Sequence, residues 1–218
     1  MRSVFGFFCT LSALISTCYS LSCTKCSNTT TSSCTGSSIT CPADQVCGVS
    51  YTLTTEGGVT SLEYSRDCFL KEQCTFNGSM GFAQNSRVRI GYSCCSTDNC
   101  LPSLPALPAD NNKTNGLVCR SCSSQNSVWC YTSDTIQCTG DENMCLLQTT
   151  KITTGSVSSS TAIRGCATKS ICDLGRQAVT TDQISVDINF QCTSGSVGVF
   201  GGVFLNLLLG IVLTKLLC

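Results

Sequence analysis

Apolar and polar residues alternate over long stretches of the chain, and glycines interrupt the alternation at intervals. In residues 46–68, VCGVSYTLTTEGGVTSLEYSRDC, apolar side chains recur at every second position on both sides of the central EGG. A period of two around a glycine turn predicts a β-hairpin. Residues 145–166 repeat the pattern more weakly, with a turn near Gly155.

Two more alternating runs each end at a cysteine, SRVRIGYSC at residues 86–94 and ISVDINFQC at residues 184–192. Both have the alternation of strands that bury one face. Residues 21–194 carry no sustained apolar period of the helical kind. The patterning therefore predicts an all-β protein.

Eighteen cysteines beyond the first twenty residues form two series with nearly the same spacing. The steps are 3, 8, 7, 6, 21, 6, 20, 1 and 5 in the first series, and 3, 8, 8, 7, 21, 6 and 20 in the second. This agreement indicates an internal duplication. The first series is Cys23, Cys26, Cys34, Cys41, Cys47, Cys68, Cys74, Cys94, Cys95 and Cys100; the second is Cys119, Cys122, Cys130, Cys138, Cys145, Cys166, Cys172 and Cys192.

The first twenty residues, MRSVFGFFCTLSALISTCYS, contain one arginine, a short apolar run and small residues near the end. This composition predicts a signal peptide over residues 1–20, cleaved after Ser20. Secreted proteins fold in an oxidising compartment, so the remaining cysteines are expected to be paired. Cys9 and Cys18 would be removed with the signal.

The charge and composition exclude several kinds of function. The chain has no histidine, so no Ser-His-Asp or Cys-His catalytic site and no histidine-containing zinc site can be built. Thirteen basic residues balance thirteen acidic ones, which gives no indication of nucleic-acid binding. CCSTDNC, residues 94–100, could form a metal cage, a redox site or a disulfide knot, and the oxidising compartment favours the knot. We expect no cofactor, no metal and no enzymatic activity.

The duplication divides the mature chain into two small domains. Residues 21–101 hold ten cysteines, residues 118–194 hold eight, and residues 102–117 carry three of the four prolines and are interpreted as a linker. In domains of about 75 residues an apolar core alone is marginal. Disulfides, at roughly 2–4 kcal/mol each, are expected to supply much of the stability.

The paired-cysteine openings LSCTKC and VCRSC, the long hairpin intervals and the ending CCSTDNC resemble the lymphocyte antigen 6 / urokinase receptor family. The resemblance covers both domains and implies two disulfide-rich three-finger domains in tandem, each with β-hairpin fingers projecting from a knot of disulfides. It implies the pairs Cys23–Cys47, Cys26–Cys34, Cys41–Cys68, Cys74–Cys94 and Cys95–Cys100, and in the second domain Cys119–Cys145, Cys122–Cys130, Cys138–Cys166 and Cys172–Cys192.

The sequence departs from the family pattern in two places. The family has Asn directly after the last cysteine, whereas here Leu101 stands there and Asn99 precedes the cysteine. The second domain lacks the last two cysteines, which would fall near Thr193 and Gly198. Because both partners of one bridge are missing together, no thiol is left unpaired.

An apolar tail follows the second domain. Small residues around Ser194 precede residues 195–218, which are apolar except for a few positions. This order is typical of a signal for a glycolipid (GPI) anchor, with attachment predicted at Ser194 and removal of the tail. A transmembrane helix is the alternative, but a basic cytoplasmic segment is lacking. A buried core segment is disfavoured, because domains this small could not cover it.

Other residues are candidates for modification or recognition. Asn28, Asn77 and Asn112 lie in glycosylation sequons. Trp129, the only tryptophan, could anchor an interface, but packing against the neighbouring bridge is favoured. Arg87 and Arg89 alternate with apolar residues and are expected on a solvated strand face.

The acidic pair in TGDEN, residues 139–143, is interpreted as turn chemistry rather than as a calcium site. These features predict a GPI-anchored, non-enzymatic protein on the extracellular face of the plasma membrane. Rigid fingers suit it to bind an extracellular or cell-surface protein ligand, because preorganisation lowers the entropic cost of binding. Shed or secreted forms are the alternative location. The alternative function is a secreted or surface inhibitor of an extracellular enzyme such as a phospholipase, since gamma-type phospholipase inhibitors are similar two-domain members of the family.

Overall fold

The structure of the protein is a computed structural model, which describes residues 20–83, 85–180 and 183–194. The first module, residues 21–101, contains six strands and one 3-10 turn, Lys71–Gln73. Its strands are β1 (Ser22–Asn28), β2 (Ser37–Thr40), β3 (Gln45–Glu56), β4 (Val59–Leu70), β5 (Asn77–Ala83) and β6 (Ser86–Cys95).

The second module, residues 114–194, contains seven strands and one short helix, α1 (Lys169–Asp173). The prediction of an all-β protein is therefore confirmed. The strands are β7 (Thr114–Arg120), β8 (Cys122–Gln125), β9 (Thr135–Thr139), β10 (Met144–Thr154), β11 (Val157–Ala167), β12 (Arg176–Thr180) and β13 (Ile184–Ser194).

The two modules share one strand plan. In the first, β3 lies between β4 and β6, and the β3–β4 hairpin turns at Gly57 and Gly58, which have positive φ. In the second, β10 lies between β11 and β13, with Gly155 at the turn. Positive φ is the reason that glycine stands at these turns, since other residues adopt it only with strain. The three predicted fingers are thus present in both modules.

A single sheet runs through both modules. Its strand order is β12-β13-β10-β11-β5-β6-β3-β4-β1-β2, with β8 also paired to β11, while β7 and β9 form a separate pair. Antiparallel pairing of β11 with β5 joins the modules. Among the described residues the two domains are therefore connected by backbone hydrogen bonds as well as by the linker.

The base of each module is built around disulfides. Cystine side chains make up most of two of the four buried apolar clusters and contribute to a third, which suits domains too small for a large core. The bonds are Cys23–Cys47, Cys26–Cys34, Cys41–Cys68, Cys74–Cys94, Cys95–Cys100, Cys119–Cys145, Cys122–Cys130, Cys138–Cys166 and Cys172–Cys192. Of these bonds between described residues, Cys95–Cys100 alone has no counterpart in the other module.

The proline-rich segment, residues 102–113, packs along β6 instead of extending into solvent. Pro102 and Pro105 are buried, and the Ser93 hydroxyl donates a hydrogen bond to the carbonyl of Ser103. Gly91 permits this close approach, because a Cβ there would lie 2.8 Å from the carbonyl oxygen of Ala106. The segment is therefore a strap on the first module.

The predicted signal peptide lies almost wholly outside the described residues, and the predicted anchor signal, residues 195–218, lies outside them altogether. Within the part of the chain that is described, no helix has the length and apolar character needed to cross a bilayer.

Candidate binding surfaces

The junction between the modules is a close backbone contact. Cys166 faces Gly81 and Ala167 faces Met80 in the β11–β5 register. A Cβ on Gly165 would lie 2.0 Å from the Gly81 carbonyl oxygen, a separation that no side chain can have. Glycine at position 165 is therefore a condition for the two modules to meet in this way.

Buried polar groups of Ser79 and Thr168 are hydrogen-bonded across the junction. The Thr168 backbone N–H donates to the Ser79 carbonyl at 2.9 Å, and the Ser79 N–H donates to the Thr168 hydroxyl at 3.1 Å. Ser79, Thr168 and Glu142 are the only buried polar residues among those described, and all three lie here. The hydrogen bonds between Ser79 and Thr168 favour one relative arrangement of the modules, because any other would leave these buried groups unpaired.

An ion pair joins the modules beside these contacts. The Nε of Arg87, on β6, lies 3.1 Å from the Oε1 of Glu142, and their side chains are 16% and 3% exposed. No N–H or O–H of the described residues is aligned on that oxygen, so the contact is electrostatic rather than a hydrogen bond. Burial raises the pKa of the Glu142 carboxyl above its ordinary value, while Arg87 and a hydrogen bond from Ser79 oppose that shift.

The expectation that Arg87 and Arg89 lie on a solvated face is wrong. Arg87 also lies 3.3 Å from a carboxylate oxygen of Asp110, and Arg89 lies 3.6 Å from the other. The strap covers this face of β6, which a single strand's alternation could not reveal. The TGDEN segment is divided as well, because Asp141 is exposed whereas Glu142 is buried at the junction.

The fingers of the second module carry an apolar outer face. Ile152, Val157, Val179 and Ile184 are between 41% and 71% exposed. They share one face of the sheet, because Ile152 and Val179 both oppose Val186, and Thr154 opposes both Val157 and Ile184. We call these four residues the apolar finger face.

The first module differs at the same register. Aligned on the shared cysteines, Thr54 stands at the position of Ile152 and Ser86 at that of Ile184, while Val59 corresponds to Val157. An exposed aliphatic cluster that appears on one of two duplicated modules is a candidate interaction surface.

A second candidate is a cleft of about 620 Å³ at the base of the second module. Its lining includes Arg120, Trp129, Arg164 and residues 191–194 at the end of β13. None of the described residues that line it is acidic. We call it the terminal cleft.

Trp129 lies at the mouth of this cleft. It is 52% exposed, and the guanidinium carbon of Arg164 lies 4.2 Å from its ring centroid, in a cation–π arrangement. Trp129 therefore stacks on an arginine from β11 while about half of its surface stays exposed. Its packing against the Cys122–Cys130 bridge stays a prediction.

In the first module the equivalent place is filled by the loop from Cys95 to Cys100. Arg66, which corresponds to Arg164, donates from Nη2 to the Cys100 carbonyl at 3.3 Å. Asp98 Oδ1 accepts from the Ser22 N–H at 2.8 Å, and Asn99 Oδ1 accepts from the Ser38 hydroxyl at 2.8 Å. Asn99 thus bonds across the base although it precedes the last cysteine.

Sulfur atoms of Cys23, Cys41 and Cys68 lie close enough together to suggest a metal site, as do those of Cys119, Cys138 and Cys166. All six form disulfides and are not available as thiolate ligands.

Of the sequon asparagines, Asn77 and Asn112 are exposed and Asn28 is half-buried. Asn28 ends β1 within the loop that the Cys26–Cys34 bridge closes, and its amide donates to Thr31 Oγ1 at 2.7 Å. Asn77 begins β5. Asn112 lies on the strap, with its Oδ1 3.3 Å from Arg87 Nη1.

The fold defines a class: a protein of two disulfide-knotted three-finger modules. The u-PAR/Ly-6 domain family matches residues 19–103 and 115–198. The chain therefore belongs to the u-PAR/Ly-6 family.

Several relatives are similar to this chain. The phospholipase A2 inhibitor 25 kDa subunit of Naja kaouthia is 34% identical over 49% of this chain and 57% of its own length. The phospholipase A2 inhibitor NAI of Notechis ater is 30% identical over 71% of this chain and 78% of its own. The urokinase plasminogen activator surface receptor of Mus musculus is 29% identical over 65% of this chain and 42% of its own. The match thus spans about half the length of the first and the third.

Among solved structures, mouse TEX101 is similar with a TM-score of 0.36 and 16% identity, over 79% of this chain and 99% of that one.

Proposed function

We propose that this protein is a non-enzymatic, GPI-anchored cell-surface protein that binds an extracellular or cell-surface protein ligand through the apolar finger face. The observation that carries the proposal is the exposure of Ile152, Val157, Val179 and Ile184 on a finger sheet whose relative position is fixed by a buried junction. Exposed aliphatic residues on a rigid body favour binding, because little ordering remains to be done on association.

Membership of the u-PAR/Ly-6 family supports a protein as the ligand. The relatives are named as inhibitors of phospholipase A2 and as a surface receptor for urokinase plasminogen activator. Both names describe recognition of another protein. The anchor is supported by the small residues around Ser194 and the apolar stretch over residues 195–218.

Anchoring is tested on intact cells that express the full chain. Treatment with a phosphatidylinositol-specific phospholipase is expected to release the protein into the medium in soluble form. Resistance to release, with the protein still on the surface, would contradict the anchor.

Ligand binding is tested with the released protein in a proximity or binding screen against cell surfaces and secreted proteins. The double variant Ile152→Thr/Val157→Thr is expected to lose the captured ligand. Val59→Thr is the matched control, since Val59 is as exposed as Val157 but lies on the more polar module. Equal loss in the control, or none in the double variant, would remove the apolar finger face from the proposal.

A second candidate is inhibition of an extracellular phospholipase, which the names of two relatives favour. It is tested by adding the released protein to a secreted phospholipase A2 and measuring hydrolysis. Dose-dependent inhibition would make this the preferred function.

A further inference from the structure

The terminal cleft presents cationic side chains that no carboxylate of the described residues neutralises. Within the described residues neither Arg120 nor Arg164 forms an ion pair, and the buried Nε of Arg164 has no hydrogen-bond acceptor. A buried donor without an acceptor is costly. The planar guanidinium matches the oxygens of phosphate or carboxylate groups. These features indicate a site for an oxyanion.

The first module shows what an arginine at the position of Arg164 binds when the closing loop is present. There the equivalent arginine, Arg66, donates to the carbonyl of Cys100 on the closing loop. The second module has no such loop among its described residues. Instead, Thr193 and Ser194 form part of the cleft wall.

We propose that the terminal cleft binds the phosphodiester of the glycolipid anchor attached at Ser194. This inference rests on the anchor in the proposed function. The ethanolamine bridge between an anchored residue and its phosphate is short, so the phosphate stays beside Ser194. Arg164 is the principal donor, and Arg120 adds positive charge from β7.

Tethering favours this anion over one from a separate protein. A single phosphodiester binds arginine weakly in free solution, but a short tether gives an effective concentration on the order of millimolar. The carboxylate of a protein ligand would have to be supplied at that ligand's own concentration. Occupation of the cleft would also fix the orientation of the second module relative to the membrane.

The test uses protein released from cells by the phospholipase, which keeps the phosphodiester. Phosphorus NMR is expected to show a broad phosphodiester resonance in the wild type, because the group tumbles with the folded chain. In Arg164→Gln the resonance is expected to become several-fold narrower. Arg176→Gln, which removes an exposed cation of β12 outside the cleft, is the matched control and is expected to keep the broad line.

Tryptophan fluorescence gives a second readout, since Trp129 is the only tryptophan and contacts Arg164. Adding inorganic phosphate is expected to change the emission of the released wild type much less than that of an ectodomain secreted without the anchor, whose cleft is open. A third variant belongs to the NMR test. Arg164→Lys keeps the positive charge but loses the planar guanidinium, and it is expected to give a phosphodiester line width between those of the wild type and Arg164→Gln.

Three results separate the possible failures. A narrow resonance in the released wild type would overturn the proposal while the anchor stands. Failure of the phospholipase to release the protein would overturn the anchor and this inference with it. A narrow resonance together with a Trp129 response to an acidic peptide would assign the cleft to a protein ligand and overturn the proposal.

Discussion

The two modules are duplicates that have diverged at two places, the end of the base and the outer face of the fingers. The first closes its base with the loop from Cys95 to Cys100 and carries Thr54 and Ser86 on its finger face. In the second, the described residues of the base, up to Ser194, form a cationic cleft, and Ile152 and Ile184 are exposed on the fingers. The shared bridges and strands maintain the same fold in both modules. The base and the finger face, where the modules differ, are therefore the places where the second module can bind something that the first cannot.

The largest expected loss of stability comes from removing the ion pair between the modules. Arg87→Met leaves the Glu142 carboxylate buried without its cation, and removing one partner of a buried pair costs about 3–5 kcal/mol. Chemical denaturation at neutral pH should show this loss. Arg89→Met is the control, since Arg89 contacts the strap rather than Glu142.

The cost of Arg87→Met should also depend on pH. A carboxyl whose folded-state pKa is raised contributes most stability when protonated, and that contribution is lost as the pH rises through the folded pKa. Removing Arg87 raises the pKa further, so the variant should lose less stability near pH 4.5, the ordinary value for Glu142, than at neutral pH. A cost independent of pH would contradict an ionised Glu142 at the junction.

The next effect compares disulfides. Replacing Cys41 and Cys68 by Ser is expected to cost about 2–4 kcal/mol. The pair Cys95 and Cys100 closes a much shorter loop, with a separation of 5 residues against 27, and its removal should cost roughly 1.5 kcal/mol less. Thermal unfolding measured by calorimetry checks both. Equal losses of stability would mean that the Cys95–Cys100 bond stabilises the fold by more than closing a short loop.

A smaller effect is expected at the close backbone contact. Gly165→Ala places a Cβ against the Gly81 carbonyl, and such overpacking typically costs about 1–3 kcal/mol. Ser158→Ala, on the exposed end of the same strand, is the control and should be near neutral. Denaturant unfolding measures both costs, and small-angle X-ray scattering shows whether the modules have moved apart.

The smallest change in stability is expected on the apolar finger face. Ile152→Thr makes the second module resemble the first at this position, and the side chain is already largely exposed. Surface changes of this kind usually lie within about 0.5 kcal/mol. An unchanged melting temperature with lost ligand capture would show that the residue serves binding and not folding.

Much of this architecture follows from local pattern. Alternation in residues 46–68 predicts the β3–β4 hairpin, and the cysteine spacing reveals the duplication. The burial of Arg87 could not be predicted, because its partner Glu142 is in the other module and the strap that covers it is rich in turn-forming residues. Alternation along a strand shows that its two faces differ in polarity. It does not show which face a distant segment of the chain covers.

The terminal cleft could be predicted in part from the sequence. Aligning the two cysteine series places Arg164 opposite Arg66, and the second series lacks the two cysteines that close the loop contacted by Arg66. The stacking of Trp129 on Arg164 depends on how β8 pairs with β11, and no short-range signal encodes that pairing.

The pairing of β11 with β5 has a mechanical consequence. A load applied at Ser194 enters β13, passes to β10 and β11, and reaches the first module through backbone hydrogen bonds and the buried contacts around Thr168. The strap runs beside this route and would take up the load only after those bonds break. Force between Ser194 and the first module is therefore transmitted by the sheet, and the junction is expected to yield before any disulfide is strained.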